Sequence, residues 1–398
     1  MISSVRVIGN PRAAAREAPP PDALASDGFE AAYREISGWP GYRPTPIHNL
    51  KGLAAELGLG KILYKDEGPR FGLGSFKPLG GAYAVARVLA RELAKRGIAV
   101  NATAADLLAG RHAEAVRGIT ITSATDGNHG RSVAWGARMF GCRAVIFIHQ
   151  TVSEGRKAAI ERYGAEVIRV PGGYDDSVRH AFAEAERRGW HVVQDTATAD
   201  YRTVPADISH GYGVIAGEVV AQVSEPPTHV LVQAGVGGAA SAVCARFWQL
   251  WGTSRPAFLV LEPAKAACVA ASLAAGKRVE VTGDLETVMA GLSCGVVSEL
   301  AWEVLATGAD GAVVIDDGLA LEGMRRLAFP LPGDPPIVGG ECSGGAVGAL
   351  IGLSREPSLM AQIGFGKSSS VLLIGTEGAT DPVIYKEIVG KAPEEILA

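Results

Sequence analysis

Aromatic residues make up only 6% of this sequence against 47% hydrophobic residues overall, so its cores must be built from Ala, Val, Leu and Ile. Positive charge is not in excess: 38 Lys and Arg against 42 Asp and Glu leave a net charge of −4. That balance argues against a polyanion-binding surface, and no nucleic-acid partner is expected. Cysteine is sparse and has no C-x-x-C spacing. The five residues Cys142, Cys244, Cys268, Cys294 and Cys342 form neither a disulfide framework nor a zinc knuckle. They are expected to pack as small hydrophobes in a reducing compartment, including Cys294 in Leu292-Ser293-Cys294-Gly295 and Cys342 beside Ser343. No H-x-x-x-H or H-E-x-x-H pair marks a metal site, so no metal is expected. No apolar run is long enough to span a membrane, and the N-terminus lacks a charged-then-apolar secretory pattern. A cytoplasmic protein with no membrane partner is the expectation.

What is plentiful is glycine, 51 residues in 398, which suits a fold with many strand-to-helix turns. The length is enough for two domains. Residues 1–28, with Pro19-Pro20-Pro21, read as an extended arm available for subunit contacts. From residue 119 onward, short apolar runs at 119–123, 144–148, 166–170 and 191–193 alternate with helical segments. A second alternating series follows at 229–233, 258–261, 311–315 and 371–374. This is the pattern of parallel α/β sheets. The expected architecture is a smaller α/β domain, residues 84–195, inserted in a larger discontinuous one made of 1–83 and 196–398.

Three stretches carry the chemistry. In the first, the apolar run Ile62-Leu63-Tyr64 leads into Asp66-Glu67-Gly68-Pro69-Arg70-Phe71-Gly72-Leu73-Gly74-Ser75-Phe76-Lys77-Pro78-Leu79-Gly80-Gly81, a glycine-rich turn that presents one lysine. Glycines permit close backbone approach to a ligand, and a lysine at a helix start is disfavoured as a cation. A neutral lysine is a nucleophile suited to a Schiff base with an aldehyde cofactor; the plainer reading is a basic turn residue. Second, Thr125-Asp126-Gly127-Asn128-His129-Gly130 follows a strand, where open α/β sheets place ligands. Asp126 reads either as an acid or base or as a helix N-cap, and Asp195, also at a strand end, shares that ambiguity. His129 reads as a packing or orienting residue. Third, Gly235-Val236-Gly237-Gly238 is a strand-to-helix turn suited to phosphate. With Glu262 27 residues after Gly235, it also imitates a dinucleotide fingerprint, which keeps a NAD-dependent oxidoreductase open.

In combination and in this order, the Ser75-Phe76-Lys77 turn, residues 125–130, the loop at 235–238 and the terminal Gly375-Thr376 resemble the fold-type-II pyridoxal-phosphate enzymes, over residues 40–385. Threonine dehydratase and the tryptophan synthase β-subunit belong to that group. Lys65-Asp66-Glu67, Arg70-Phe71-Gly72-Leu73, Val193-Gln194-Asp195-Thr196, Gly291-Leu292-Ser293-Cys294-Gly295 with Ala301-Trp302, and Thr376-Glu377-Gly378 narrow the resemblance to the diaminopropionate ammonia-lyases. Asp126 is the main departure from the dehydratases, which carry a small hydroxyl residue there.

The resemblance implies pyridoxal 5'-phosphate as cofactor, held covalently by Lys77. It implies phosphate binding by Gly235, Val236, Gly237 and Gly238, and Asn128 on the ring's phenolic oxygen. Thr376 faces the pyridine nitrogen; Gly375 stands where related enzymes often have serine. The implied reaction is α,β-elimination on both isomers of 2,3-diaminopropionate, giving aminoacrylate, then pyruvate and two ammonia. Lys77 and Asp126 serve opposite faces of the substrate, and Asp195 orients the substrate amine or protonates it as it leaves. A small amino-acid substrate is the expected partner and a homodimer the expected assembly. A threonine/serine dehydratase-like lyase, the oxidoreductase, and a non-catalytic cofactor or amino-acid sensor are the alternatives. Gly237→Val is expected to release cofactor without unfolding the chain, on the view that a Cβ would stand between the loop's N–H groups and the phosphate.

Overall fold

The computed structural model describes residues 4–125 and 127–398. Eleven strands are formed in chain order: β1 (Val5–Gly9), β2 (Ile47–Asn49), β3 (Lys61–Asp66), β4 (Thr120–Thr125), β5 (Arg143–His149), β6 (Glu166–Val170), β7 (His191–Val192), β8 (His229–Gln233), β9 (Ala257–Pro263), β10 (Gly311–Ile315) and β11 (Ser370–Gly375). They divide between two compact units. The first comprises residues 4–26, 44–75 and 215–398, and the second 27–43 and 76–214. The boundaries therefore differ from those expected at 84 and 196. Residues 76–83 and 196–214 pack with the smaller unit, as does the helix Ser26–Ser37 from Asp27 on, which had been passed over between the arm and the proline loop.

The first unit holds a seven-stranded sheet in the order β1-β10-β9-β8-β11-β3-β2. Its five central strands run parallel. The two edges are antiparallel, β1 against β10 and β2 against β3. The expected arm thus contains an edge strand, because VRVIG is short but able to close the open side of β10. The central strands are buried on both faces, which is why they read as continuous apolar runs and not as alternating ones. The helix Glu341–Ser354 is buried along its length beside them.

A sealed ionic cluster anchors the chain leaving β3. Lys65 Nζ lies 2.6 Å from Glu218 Oε2, and Arg70 joins Glu218 at 2.7 Å and Glu67 at 2.8 Å, all four side chains being at most 1% exposed. The Thr45 hydroxyl donates to Glu67 Oε1 at 2.6 Å. Removing one member of such a cluster leaves uncompensated buried charge, at about 3–5 kcal/mol. The cluster fixes residues 65–70, and with them the turn that runs through Phe71 (φ 51°) to Ser75. Ser75 in turn bridges Glu377, just beyond β11.

The second unit is a four-stranded, wholly parallel sheet, β6-β5-β4-β7. Ala124, Val145 and Phe147 pack with Ala181 of the helix Tyr174–Arg188 on one face. Ile146 and Thr125, of opposite parity, meet Gly130 of the helix Asn128–Phe140 on the other. The helix Lys77–Lys95 packs against the helix Asn128–Phe140.

Candidate active site

In the second unit, Lys77 is the first residue of its helix, and Pro78 stands in the first turn, where its missing N–H costs nothing. The side chain is 22% exposed and its Nζ donates to Asp195 Oδ2 at 2.9 Å. Asp195 follows β7 on a segment held at several points. Tyr201 Oη accepts from the Gln194 N–H at 3.0 Å and donates to the Val192 carbonyl at 3.0 Å. Gln194 Oε1 accepts from Ser123 Oγ and the Ala124 N–H, and its Nε2 donates to Tyr174 Oη at 2.6 Å. His129 Nε2 lies 2.9 Å from the Val193 carbonyl, and its Nδ1 stands 4.0 Å from Asp195 Oδ2. His129 is therefore an orienting residue for this segment. Burial alone would raise the Asp195 pKa, but Lys77 and His129 override it and hold the carboxyl far below its ordinary range. Asp195 is ionised across the physiological range.

Asn128 opens the helix Asn128–Phe140, and its Oδ1 accepts from Arg131 Nη2 at 2.7 Å. That contact sets the amide's orientation, with Nδ2 as the end that donates. Thr125 Oγ1 accepts from the Gly127 and Gly130 N–H groups at 2.9 and 3.0 Å and so ties the end of β4 to the start of this helix. Asp126 lies outside the described residues.

In the first unit, β8 and β11 are neighbours and both deliver loops at their carboxyl ends. Beyond β8, Gly237 (φ +90°) caps the 14-residue helix Gly238–Trp251, whose first N–H groups have no partner within the helix and are of the kind that bind anions. Beyond β11, Thr376 is 6% exposed, and its Oγ1 has no hydrogen-bond partner among the described residues. A buried hydroxyl in that state fits a polar atom supplied by a bound group, such as a ring nitrogen. A Cβ at Gly375 would lie 2.2 Å from Tyr64 Oη, so the tyrosine occupies the space a serine there would need.

Three expectations change. A Cβ at Gly237 would point to the back of the loop, 3.1 Å from both Ala301 Cβ and Leu305 Cδ1, and not toward a phosphate. Gly237→Val should therefore act first on stability, lowering it by about 1–3 kcal/mol through positive-φ strain and overpacking, with cofactor lost as a consequence. Thermal unfolding of the cofactor-free variant is the measurement; an unchanged melting temperature with lost cofactor would restore the direct clash. Glu262 is fully buried and accepts from the Val269 and Ala270 N–H groups at 2.8 and 2.7 Å, so it holds a helix start and faces no ribose. Its burial pushes the carboxyl up to about 8. The dinucleotide fingerprint is thereby spent on packing. Cys294 is half-exposed and not core: its Sγ lies 3.0 Å from where a Gly235 Cβ would stand, so it borders the glycine loop. Sequence reasoning also passed over Tyr174 and Tyr201, which fix the Asp195 segment; aromatic residues distant in sequence gave no local signal.

The fold and these residues define a pyridoxal-phosphate enzyme. Residues 38–361 match the family described as pyridoxal-phosphate dependent enzyme, and the chain belongs to that family. It is 41% identical over 355 residues, 88% of each chain, to the diaminopropionate ammonia-lyase of Escherichia coli strain K12. Among solved structures it resembles the selenomethionine-incorporated holo diaminopropionate ammonia lyase from Escherichia coli, with a TM-score of 0.88, 36% identity and coverage of 98% of this chain and 97% of that one. The same enzyme in complex with an aminoacrylate-PLP azomethine reaction intermediate also has a TM-score of 0.88 at 36% identity, covering 97% of each chain.

Proposed function

We propose that this protein is a pyridoxal-phosphate-dependent carbon–nitrogen lyase that converts both the D and L isomers of 2,3-diaminopropionate, with water, to pyruvate and two ammonia. The observation that carries the reading is the Lys77–Asp195 ion pair at the head of the Lys77–Lys95 helix, in a chain of this family. The cofactor, when bound, supplies the electron sink that acidifies the substrate's Cα–H.

The chain's own residues do the rest. Lys77 holds the cofactor and, released by the substrate amine, takes the Cα proton from one face. Asp126 serves the opposite face. Asp195, being ionised, holds the substrate's ammonium group; of the two roles open to it, orientation fits this charge state better than proton donation. The N–H groups of Gly235, Val236, Gly237 and Gly238 bind the phosphate. Asn128 Nδ2 donates to the ring oxygen, and the Thr376 hydroxyl faces the ring nitrogen. A hydroxyl, unlike an aspartate, does not keep that nitrogen protonated, which favours prompt loss of the β-amine.

The reading extends to a cytoplasmic homodimer. The odd, scattered set of five cysteines supports a reducing compartment. Among the described residues no helix is long and apolar enough to cross a membrane.

The test is a spectrum followed by an assay. The purified protein should absorb beyond the protein band and lose that absorbance on borohydride reduction, with the cofactor fixed to Lys77. It should then, before reduction, release two ammonia per pyruvate from diaminopropionate. A cofactor-loaded protein that releases no pyruvate from either isomer would sink the lyase reading.

A further inference from the structure

The helix Thr203–Gln222 carries a tyrosine that none of these roles uses. Tyr212 is 1% exposed, and its hydroxyl makes no well-formed hydrogen bond among the described residues, although Lys77 is near enough to act on it. A sealed hydroxyl without a well-formed hydrogen bond is destabilising, and its retention points to a partner met in another state of the molecule. The ring is closely fixed. It packs edge-on to Phe76, with centroids 4.7 Å apart and planes at 62°. A Cβ at Gly80 would lie 2.4 Å from Tyr212 Cε1 and 2.7 Å from Cζ, so the hydroxyl-bearing end of the ring sits over the first turn of the Lys77–Lys95 helix. A Cβ at Gly211 would lie 2.0 Å from the Leu79 carbonyl oxygen. Both glycines are needed to bring the two helices this close. Lys77 Nζ lies 5.5 Å from the Phe76 centroid and 5.8 Å from that of Tyr212, while Asp195 holds the same nitrogen at 2.9 Å.

The chemistry of the two neighbours differs. The ionised carboxylate of Asp195 favours the ammonium form, so while it holds Lys77 it opposes loss of the amine's proton. A neutral phenol accepts from an amine N–H without the charge that favours the ammonium form. Burial raises the Tyr212 pKa well above its ordinary value, against the opposing Lys77 charge, so the O–H proton stays in place. Lys77 must pass through the neutral amine both to capture an aldehyde and to take a proton.

We infer that Tyr212 is a positioning residue for Lys77: its hydroxyl oxygen accepts from the neutral Nζ once the amine leaves Asp195, and the lone pair stays free to react. This inference rests on the reading of Lys77 as the cofactor-holding lysine.

Tyr212→Phe keeps the ring and removes only the oxygen. The full-length cofactor-free protein is mixed either with pyridoxal phosphate, captured covalently, or with pyridoxamine phosphate, which has the same ring and phosphate but no aldehyde. Capture of pyridoxal phosphate, read by borohydride trapping at Lys77, should slow about tenfold, the worth of one hydrogen bond. Affinity for pyridoxamine phosphate should not change, and the unloaded variant should melt at the same temperature as wild type or higher. Equal capture rates would overturn the inference, as would a parallel loss of affinity for both compounds or a lowered melting temperature, each of which marks a packing role. Failure of the wild type to capture any pyridoxal phosphate would overturn the cofactor reading and this inference with it, whereas normal wild-type capture with an unaffected variant overturns this inference alone.

Discussion

Lys77→Ala should give a folded protein that releases no measurable pyruvate from either isomer of 2,3-diaminopropionate. On the proposed reading, the substitution removes the covalent hold on the cofactor and one base at the same time. A positioned proton-transfer group is worth about 10²–10⁴-fold by itself, and loss of the nucleophile adds to that. The fold loses one ion pair and no helix hydrogen bond. Lys77 is the first residue of its helix and partly exposed, so its N–H is not needed by the helix, and alanine is the better helix former. The Asp195 segment keeps its hydrogen bonds with Tyr201, Tyr174 and His129. Circular dichroism should therefore match the wild type, while a pyruvate-coupled assay reads background. Near-normal pyruvate release would refute the central assignment.

Asp126→Asn should separate the two isomers. Bound through the same carboxylate and amine, D- and L-diaminopropionate present their Cα protons to opposite faces, and one lysine cannot serve both without leaving its place. Asparagine keeps the size and hydrogen bonding of aspartate but removes its basicity. Asparagine caps a helix as well as aspartate does, so the helix Asn128–Phe140, whose start Thr125 Oγ1 also holds by accepting from Gly127 and Gly130, survives the change. Turnover of the D isomer should fall about 10²–10⁴-fold, with the L isomer much less affected. Asp195→Asn is the control: a residue that holds the substrate ammonium serves both isomers, so both should decline together. Steady-state kinetics on the separate enantiomers decides. Equal losses for both isomers in Asp126→Asn would end the two-base mechanism.

The residues that identify this chain are local in sequence. Lys77 with its glycines, the turn at 125–130 and the loop at 235–238 each combine a strand end, a tight turn and a helix start within a few residues. Periodicity and turn chemistry expose such combinations directly. The parallel strands were legible for the same reason, being short apolar runs buried on both faces. Asp195 was visible as a strand-end carboxylate, but its choice between cap and partner was not, because the lysine it pairs with is distant along the chain.

The alternation of strands and helices, the order of the glycine turns and the single presented lysine were thus determined by the sequence alone, since each follows from the preferences of neighbouring residues. Tertiary structure decided the rest. It gave β1 its place as an edge strand by pairing Val5 with Ile315, from distant parts of the chain. It turned Glu262 from a ribose ligand into the anchor of a helix start, and Gly237 from a phosphate gate into a packing point against Ala301 and Leu305. It also brought Tyr212 to the helix that begins at Lys77. In each case the deciding quantity is which distant side chain fills the adjacent space, and that depends on the closing of the sheets and the crossing of helices, which no local window of sequence contains.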